Sequence, residues 1–433
     1  MRFRRVHLAL LLAYCSLVSA QTHKPSKPLP PSSFKLVSIK VTGTKRYSAD
    51  EIIAASGLRL GQTVSEDDFK LVSRHLGETG AFSDVAYAFQ FSPEGTKLDL
   101  QLKDSDHFVP ASFDNLVWFS QKELLDDVRA QVSLFRGELP IAGELADQVS
   151  NALQALLIEH KIEGHVDYLR TSHQDGPIEG FVFTVTGPNI HVRNVDFVGA
   201  APTELVLLQT AAKKMLNQEF LRSKLRIQAD KDLVPIYLER GYLKAAFSDA
   251  EPKVVQESPQ ESLVDVTFAV DPGRQYKTTD IQLSGNKVFP TDKLRPLVRQ
   301  QLSQPANAVQ LQHDLEAVKK LYRTRGYVAA STEALAETDD AQSTVKYLLQ
   351  IQEGSVFKMG DLDIRGLDKR ATERLFTEWK LLAGDPYDSS YPQRFLKEAA
   401  DDLLGEWNIA IHESPNDKDQ TVDVSLRFEP KPR

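Results

Sequence analysis

The chain has 433 residues, enough for several ordinary domains, and it is 41% hydrophobic and 26% charged. That composition is globular and excludes a mainly disordered chain. The formal net charge is −8; an acidic chain without a long basic stripe lacks the cations that nucleic-acid binding uses to neutralise phosphates.

The first twenty residues predict a secretory signal. Arg2, Arg4 and Arg5 form a basic start, residues 7–18 are largely apolar, and Val18-Ser19-Ala20 is a small-residue cleavage site. The apolar run falls short of the roughly 20 residues a spanning helix needs, and an uncleaved anchor is the alternative. Cleavage would take the formal charge from −8 to −11 by removing the three arginines. It would also remove the only cysteine, Cys15, and with it any disulfide, thiol nucleophile or cysteine-based zinc site. Leu12-Ala13-Tyr14-Cys15 is a poor lipoprotein box because Tyr14 is too bulky before the cysteine. Residues 21–33 carry Lys24, Pro25, Lys27, Pro28, Pro30 and Pro31, which predicts an extended linker.

Beyond the linker the chain repeats itself, and a fixed period outweighs any single motif. Ile39-Lys40-Val41-Thr42-Gly43, Val195-Asp196-Phe197-Val198-Gly199, Ile281-Gln282-Leu283-Ser284-Gly285 and Leu362-Asp363-Ile364-Arg365-Gly366 each read as a half-buried strand that stops on glycine. Gly199 and Gly285 are 86 residues apart, Gly285 and Gly366 are 81, and the 156 from Gly43 to Gly199 leave room for one weak copy. A second marker keeps the same step. Gly80, Gly164, Gly241 and Gly326 each follow a helical pattern, as left-handed helix stops do, and Gly405-Glu406-Trp407 occupies the fifth place.

Within each copy the order predicted is strand, helix, helix, strand, strand. Ser48-Ala49-Asp50-Glu51 is a capping box opening the first helix of the first copy. Gly61 and Gly384 break the chain before a second helix, which in the fourth copy carries the stripe Leu311, Leu315, Val318 and Tyr322. The last strand alternates throughout, from Leu98, Leu100 and Leu102 to Val422, Val424, Leu426 and Phe428. The fold class is therefore α+β: a tandem array of about five β-α-α-β-β modules, each a three-stranded sheet covered by two helices.

Nothing in the sequence carries recognisable chemistry. It has no phosphate loop, no G-x-G-x-x-G turn, no H-E-x-x-H helix and no G-x-S-x-G elbow. His160 and His165 are badly spaced for two metal ligands on one helix face, and Asp339-Asp340 and Asp401-Asp402 read as solvated charges. Arg240 and Arg325 read as solvated helix-end charges, and Tyr242, Tyr327 and Phe82 as core. No catalytic residue, metal site, cofactor or small-molecule substrate is expected.

A β-α-α-β-β unit of this length, repeated behind a signal peptide, resembles the POTRA domain. The whole arrangement resembles the periplasmic part of the outer-membrane-protein assembly factors of the BamA and TamA type. The resemblance covers residues 34–104, 107–187, 188–272, 273–354 and 355–430 as five POTRA-like units, after a signal peptide at 1–20 and a linker at 21–33. The second copy is divergent; residues 113–119 offer its first strand but no closing glycine. Only five residues follow Phe428 in the sequence given, so no membrane barrel of eight strands of about ten residues is expected after it.

The resemblance implies an exported, periplasmic scaffold at the outer membrane that assists protein assembly or secretion. Its implied partners are an outer-membrane β-barrel protein, unfolded outer-membrane clients or other assembly subunits. A structural envelope spacer, or a fragment of a longer factor whose barrel is encoded separately, is the alternative. Open sheet edges would bind extended segments by β-augmentation. The expected edge is the strand after the helix-closing glycine, at residues 85–91, 243–247 and 328–332. Its candidate contact residues are Val85, Tyr87, Phe89, Leu243, Ala245, Val328 and Ala330. Gly43, Gly80, Gly164, Gly199, Gly241, Gly285, Gly326 and Gly366 are read as structural, supplying backbone conformations that other residues resist.

Overall fold

A computed structural model of the chain describes residues 30–173, 176–258, 261–399 and 407–431. The signal segment, residues 21–29 of the linker, Asp401-Asp402 and the Gly405-Glu406 marker lie outside the described residues. The chain forms two compact units: residues up to 112 with 121–162 and 166–183, and residues 113–120, 163–165 and 184–433.

In the first unit, the strand Leu36–Thr42 is followed by the helices Ala49–Ser56 and Glu66–Glu78 and the strands Phe82–Ser92 and Gly95–Asp104. The last strand takes the centre of the sheet, parallel to the first and antiparallel to its hairpin partner. It does so because Leu98, Leu100 and Leu102, at most 2% exposed, alternate with polar residues and give it one wholly apolar face. The helices close over that face. Ser48 and Glu51 form the expected capping box, Ser65 and Asp68 form another, and Phe69, Val72 and Leu76 make the buried stripe of the second helix.

A four-stranded sheet follows, in the order Glu138–Pro140, Phe108–Phe113, Gly180–Thr186, His165–Thr171, with helices Gln121–Gln131 and Leu145–Glu159. Here two expectations need correction. The first strand of this copy is Phe108–Phe113, earlier than residues 113–119. Leu116 and Val117 are consecutive buried residues, a pattern a half-buried strand cannot make. Asn115 instead holds that loop, its amide donating to the Val185 carbonyl at 2.8 Å while its oxygen accepts from the Val185 N–H at 2.7 Å. Nor does Gly164 stop the second helix. Lys161, at φ 59°, takes the left-handed position after Leu145–Glu159. Gly164 comes later, where a Cβ would press on Val185 and Pro188.

The second unit contains three more sheets of the same design. Their first, middle and last strands are Ile190–Val198, Glu251–Glu257 and Ser262–Asp271; Lys277–Ser284, Ser331–Asp339 and Thr344–Gln352; and Lys358–Arg365, Trp407–Asn416 and Thr421–Pro430. Each has its last strand at the centre, parallel to the first and antiparallel to the middle one. In the third copy a short extra strand, Ala246–Phe247, also pairs with the far end of Ser262–Asp271. The second helix there is broken into Arg222–Gln228, a π-turn at Ala229–Leu233 and Val234–Leu238. Pro235 lacks the N–H that an unbroken helix would use, so the turn widens just before it.

The closing glycines of the first strands have one cause. At Gly43, Gly199, Gly285 and Gly366 φ lies between 82° and 97°. A Cβ there would collide with the carbonyl oxygen of Leu102, Val270, Ile351 or Phe428, at the end of the neighbouring last strand. A second signature recurs beside it. A residue of positive φ (Gly61, Asn217, Ser303 and Gly384) turns the chain so that Thr63, Glu219, Pro305 and Pro386 bridge the start of the first strand. That bridge covers part of one outer edge of each of these sheets.

Candidate protein-docking site at the open sheet edges

With the last strand central and the first strand partly bridged, the middle strand has no neighbour on its outer side in the sheet order among the described residues. An unpaired strand is a template for another chain unless it is short, charged or interrupted by proline. The middle strands differ in just these respects. Glu251–Glu257 contains Pro252 and three charges, Ser331–Asp339 contains Glu333, Glu337 and Asp339, and Trp407–Asn416 contains Pro415. Phe82–Ser92 runs for 11 residues with Asp84 as its single charge and no proline.

Three of the sequence-derived contact residues sit on that strand. Val85, Tyr87 and Phe89 lie opposite Leu102, Leu100 and Leu98, so they point to the helix-covered face and are half-buried at its rim. Phe89 packs on Phe69 of the second helix at 5.1 Å between ring centroids and on Phe91 at 5.2 Å. Phe91 in turn meets Phe34 at 5.2 Å, and Tyr87 stacks beside Phe89 at 6.4 Å. The result is a continuous aromatic row under an open edge. Every second side chain of an added strand would face it.

The other four residues are placed differently. Leu243, Ala245, Val328 and Ala330 are not on an edge strand; they lie in the turns after Gly241 and Gly326, and the middle strands begin later, at Glu251 and Ser331. The left-handed glycine starts a tight turn, closed by Ala245 N–H donating to the Tyr242 carbonyl at 3.2 Å and Ala330 N–H to Tyr327 at 3.1 Å. That turn hands the apolar side chain onward. Leu243 packs on the core around Tyr276 and Leu349, and Val328 on the core around Phe357 and Tyr387. The glycine carbonyls finish the join, accepting from Tyr276 N–H at 2.8 Å and Phe357 N–H at 2.7 Å.

Some residues that hold neighbouring copies together were not legible as such. Asp340 is not a free solvated charge. Its carboxylate accepts from Lys244 Nζ at 2.6 Å and from the Tyr276 hydroxyl at 2.6 Å, and Arg274 donates to its carbonyl oxygen at 2.9 Å. The Lys244 and Tyr276 bonds hold its pKa below the ordinary carboxylate value. In the first unit Glu51 accepts from Arg129 Nη2 at 2.9 Å and Arg136 Nη2 at 2.7 Å. Burial acts to raise the Glu51 carboxyl, but hydrogen bonds from Arg136, Ser48 and Arg129 outweigh it and hold the group at about 2. The capping box marked Glu51 in the sequence; its two arginine partners, 78 and 85 residues away, left no local signal. Among the described residues no cluster of three or more His, Cys, Asp or Glu is placed to hold a metal ion.

Residues 276–354 match the family model described as POTRA, surface antigen variable number repeat. The chain is 25% identical over 260 residues to the putative outer membrane protein assembly factor of Treponema pallidum, across 57% of this chain and 30% of that protein. It is 24% identical over 290 residues to the outer membrane protein assembly factor BamA of Neisseria meningitidis serogroup B, across 62% of this chain and 34% of that one. The crystal structure of Haemophilus influenzae BamA POTRA3-5 aligns at a TM-score of 0.46 with 20% identity, over 56% of this chain and 99% of that one. The chain spans about a third of the length of these curated relatives. Residues 276–354 therefore match a POTRA module, and the chain, α+β throughout its described residues, is similar to the outer-membrane-protein assembly factors over a part of their length.

Proposed function

We propose that this chain is a non-catalytic scaffold for outer-membrane protein assembly. It would work on the periplasmic side of the outer membrane, holding extended segments of clients or partner subunits on its open sheet edges. In this reading each sheet with its helices is one POTRA-like module, which makes five. The observation that carries it is the strand Phe82–Ser92: long, nearly uncharged, free of proline and underlain by an aromatic row. Main-chain pairing there supplies affinity with little demand on client sequence, and the row rewards an apolar or aromatic residue at alternate positions. Clients that share β-strand character but not sequence suit such a site.

Titration with peptides from outer-membrane β-strands, read by amide hydrogen exchange, tests this. Binding should slow exchange across residues 82–92. Saturating peptide with unchanged exchange at every middle strand would refute it. The Glu51 and Asp340 anchors favour a second reading, an envelope spacer whose neighbouring modules are locked at fixed angles. A spacer would tolerate exchange of the first module for another of equal length, whereas a client-holding module would lose its peptide.

A further inference from the structure

We propose that the fourth and fifth copies together form a second, charge-selective site for an extended segment of a partner protein bearing an acidic side chain. The proposal rests on the edge-pairing reading above and adds to it a chemical preference. A groove of about 820 Å³ runs between the helix Ala308–Arg323 of the fourth copy and the strand Trp407–Asn416 of the fifth. Ile411, Glu413 and Pro415 line it from the strand, Val328 from the intervening turn, and Lys320 and Arg323 from the helix.

The charges in this groove do not cancel. Glu316 is held by Lys319, its neighbour on the helix. Glu413 accepts from the buried Tyr387 hydroxyl at 2.7 Å, which fixes its position but leaves its negative charge, so Lys320 and Arg323 exceed it by one. Lys320 and Arg323 are exposed and have no hydrogen-bond or ion-pair partner for their side chains among the described residues. Three residues apart on one helix, they present their charges from the same face. One carboxylate can reach both, with the planar guanidinium offering it two parallel donors.

The occupant follows from what the two walls offer. Among the described residues the strand's outer side has no partner in the sheet order, and its proline-free stretch, residues 407–414 ahead of Pro415, leaves eight residues on which an extended main chain can pair. Ile411 and Val328 give that chain an apolar floor, and the two cations call for Asp or Glu among its inward-facing side chains. The apolar floor and the open strand favour a peptide over the headgroup of an anionic lipid.

The test uses the full chain and three labelled peptides of alternating Val and Thr, identical except for Glu, Gln or Lys at the centre. Fluorescence anisotropy gives affinity and amide exchange gives the place of binding. The Glu peptide should bind about five- to tenfold tighter than the Gln peptide at about 50 mM salt, and this advantage should shrink at about 300 mM. It should protect residues 407–416 from exchange. The double variant Lys320→Gln, Arg323→Gln, both surface positions, should equalise the Glu and Gln peptides and leave affinity for the Gln peptide unchanged. Equal binding of Glu and Gln peptides to the unaltered chain would overturn the proposal, as would a preference that survives the double variant. Peptides that protect residues 82–92 and never 407–416 would sink this site and leave the first edge standing. Peptides that protect no edge would remove both. Capture by anionic lipid vesicles that depends on Lys320 and Arg323, without peptide binding, would also overturn it.

Discussion

Replacing Glu51 by Gln tests the anchor of the first unit with little collateral change. Gln at this position keeps the capping box with Ser48, since an amide oxygen accepts the same backbone N–H. What it removes is the charge facing Arg129 and Arg136. A carboxyl held at about 2 in place of 4.5 corresponds to roughly 3 kcal/mol of preference for the ionised form. The Glu51 side chain is only 13% exposed, but Arg129 and Arg136 are 55% and 36% exposed; screening reduces the expected loss at neutral pH to about 1–2 kcal/mol. The sign follows from a depressed pKa: the contribution is complete above 4.5 and disappears as pH falls through about 2. Because a chain of several modules need not unfold in one step, the assay is amide exchange at residues 46–56 and 125–136, compared between the Gln variant and the parent at pH 7 and at pH 3. The variant should exchange faster at pH 7, and the gap should narrow at pH 3. Equal exchange at pH 7, or a gap that persists unchanged in acid, would refute the reasoning.

Further outcomes are expected elsewhere. Phe89→Ala should cost about 2 kcal/mol, less than a fully buried phenylalanine because the side chain is half-exposed; it should also weaken peptide binding at residues 82–92, measured by anisotropy. Gly285→Ala should destabilise the fourth copy by more than about 2 kcal/mol, since φ is +82° and the new Cβ meets the Ile351 carbonyl. Gly384→Ala, at φ +92° but with open space around it, should cost only about 1 kcal/mol; thermal melts of the two variants decide. Asp340→Asn should speed amide exchange around residues 274–276 at neutral pH without unfolding the fourth copy, because its exposed carboxylate ties Lys244 and the hydroxyl tip of the buried Tyr276.

The parts of the fold written in local pattern were readable in advance. Leu98, Leu100 and Leu102 alternate because a central strand has one buried face, and Gly285 closes its strand in a left-handed conformation that glycine favours; both signals lie within a few residues. What depends on the path of a neighbour was not. Leu243 and Val328 look like strand residues, and only the turn after the left-handed glycine sends them into the following core. Lys161 occupies a left-handed position that composition assigns to glycine. Asp340 and Glu51 acquire their partners from distant segments, so their roles became visible only with the chain folded. The aromatic row shows the intermediate case. Val85, Tyr87 and Phe89 are readable as one face of a strand, whereas Phe34 and Phe69, which extend the row, come from elsewhere.

The joins in the second unit bear on the proposed holding of a client. The turn after Gly241 completes the core around Tyr276, and the turn after Gly326 does the same for the core around Phe357. Each of these copies therefore borrows apolar surface from the one before it, and stability is shared between neighbours as in other linear repeats. Borrowing fixes the start of the first strands of the fourth and fifth copies to the end of the preceding helix, through a main-chain hydrogen bond. The middle strand joins these cores only through side chains, Ala334 in one and Ile409 and Ile411 in the other. Its hydrogen-bonding edge is left out of the fixed framework, so that pairing with an incoming segment leaves the contacts between copies in place. On the proposed reading, a client would then be gained or lost at one edge without loosening the copies on either side.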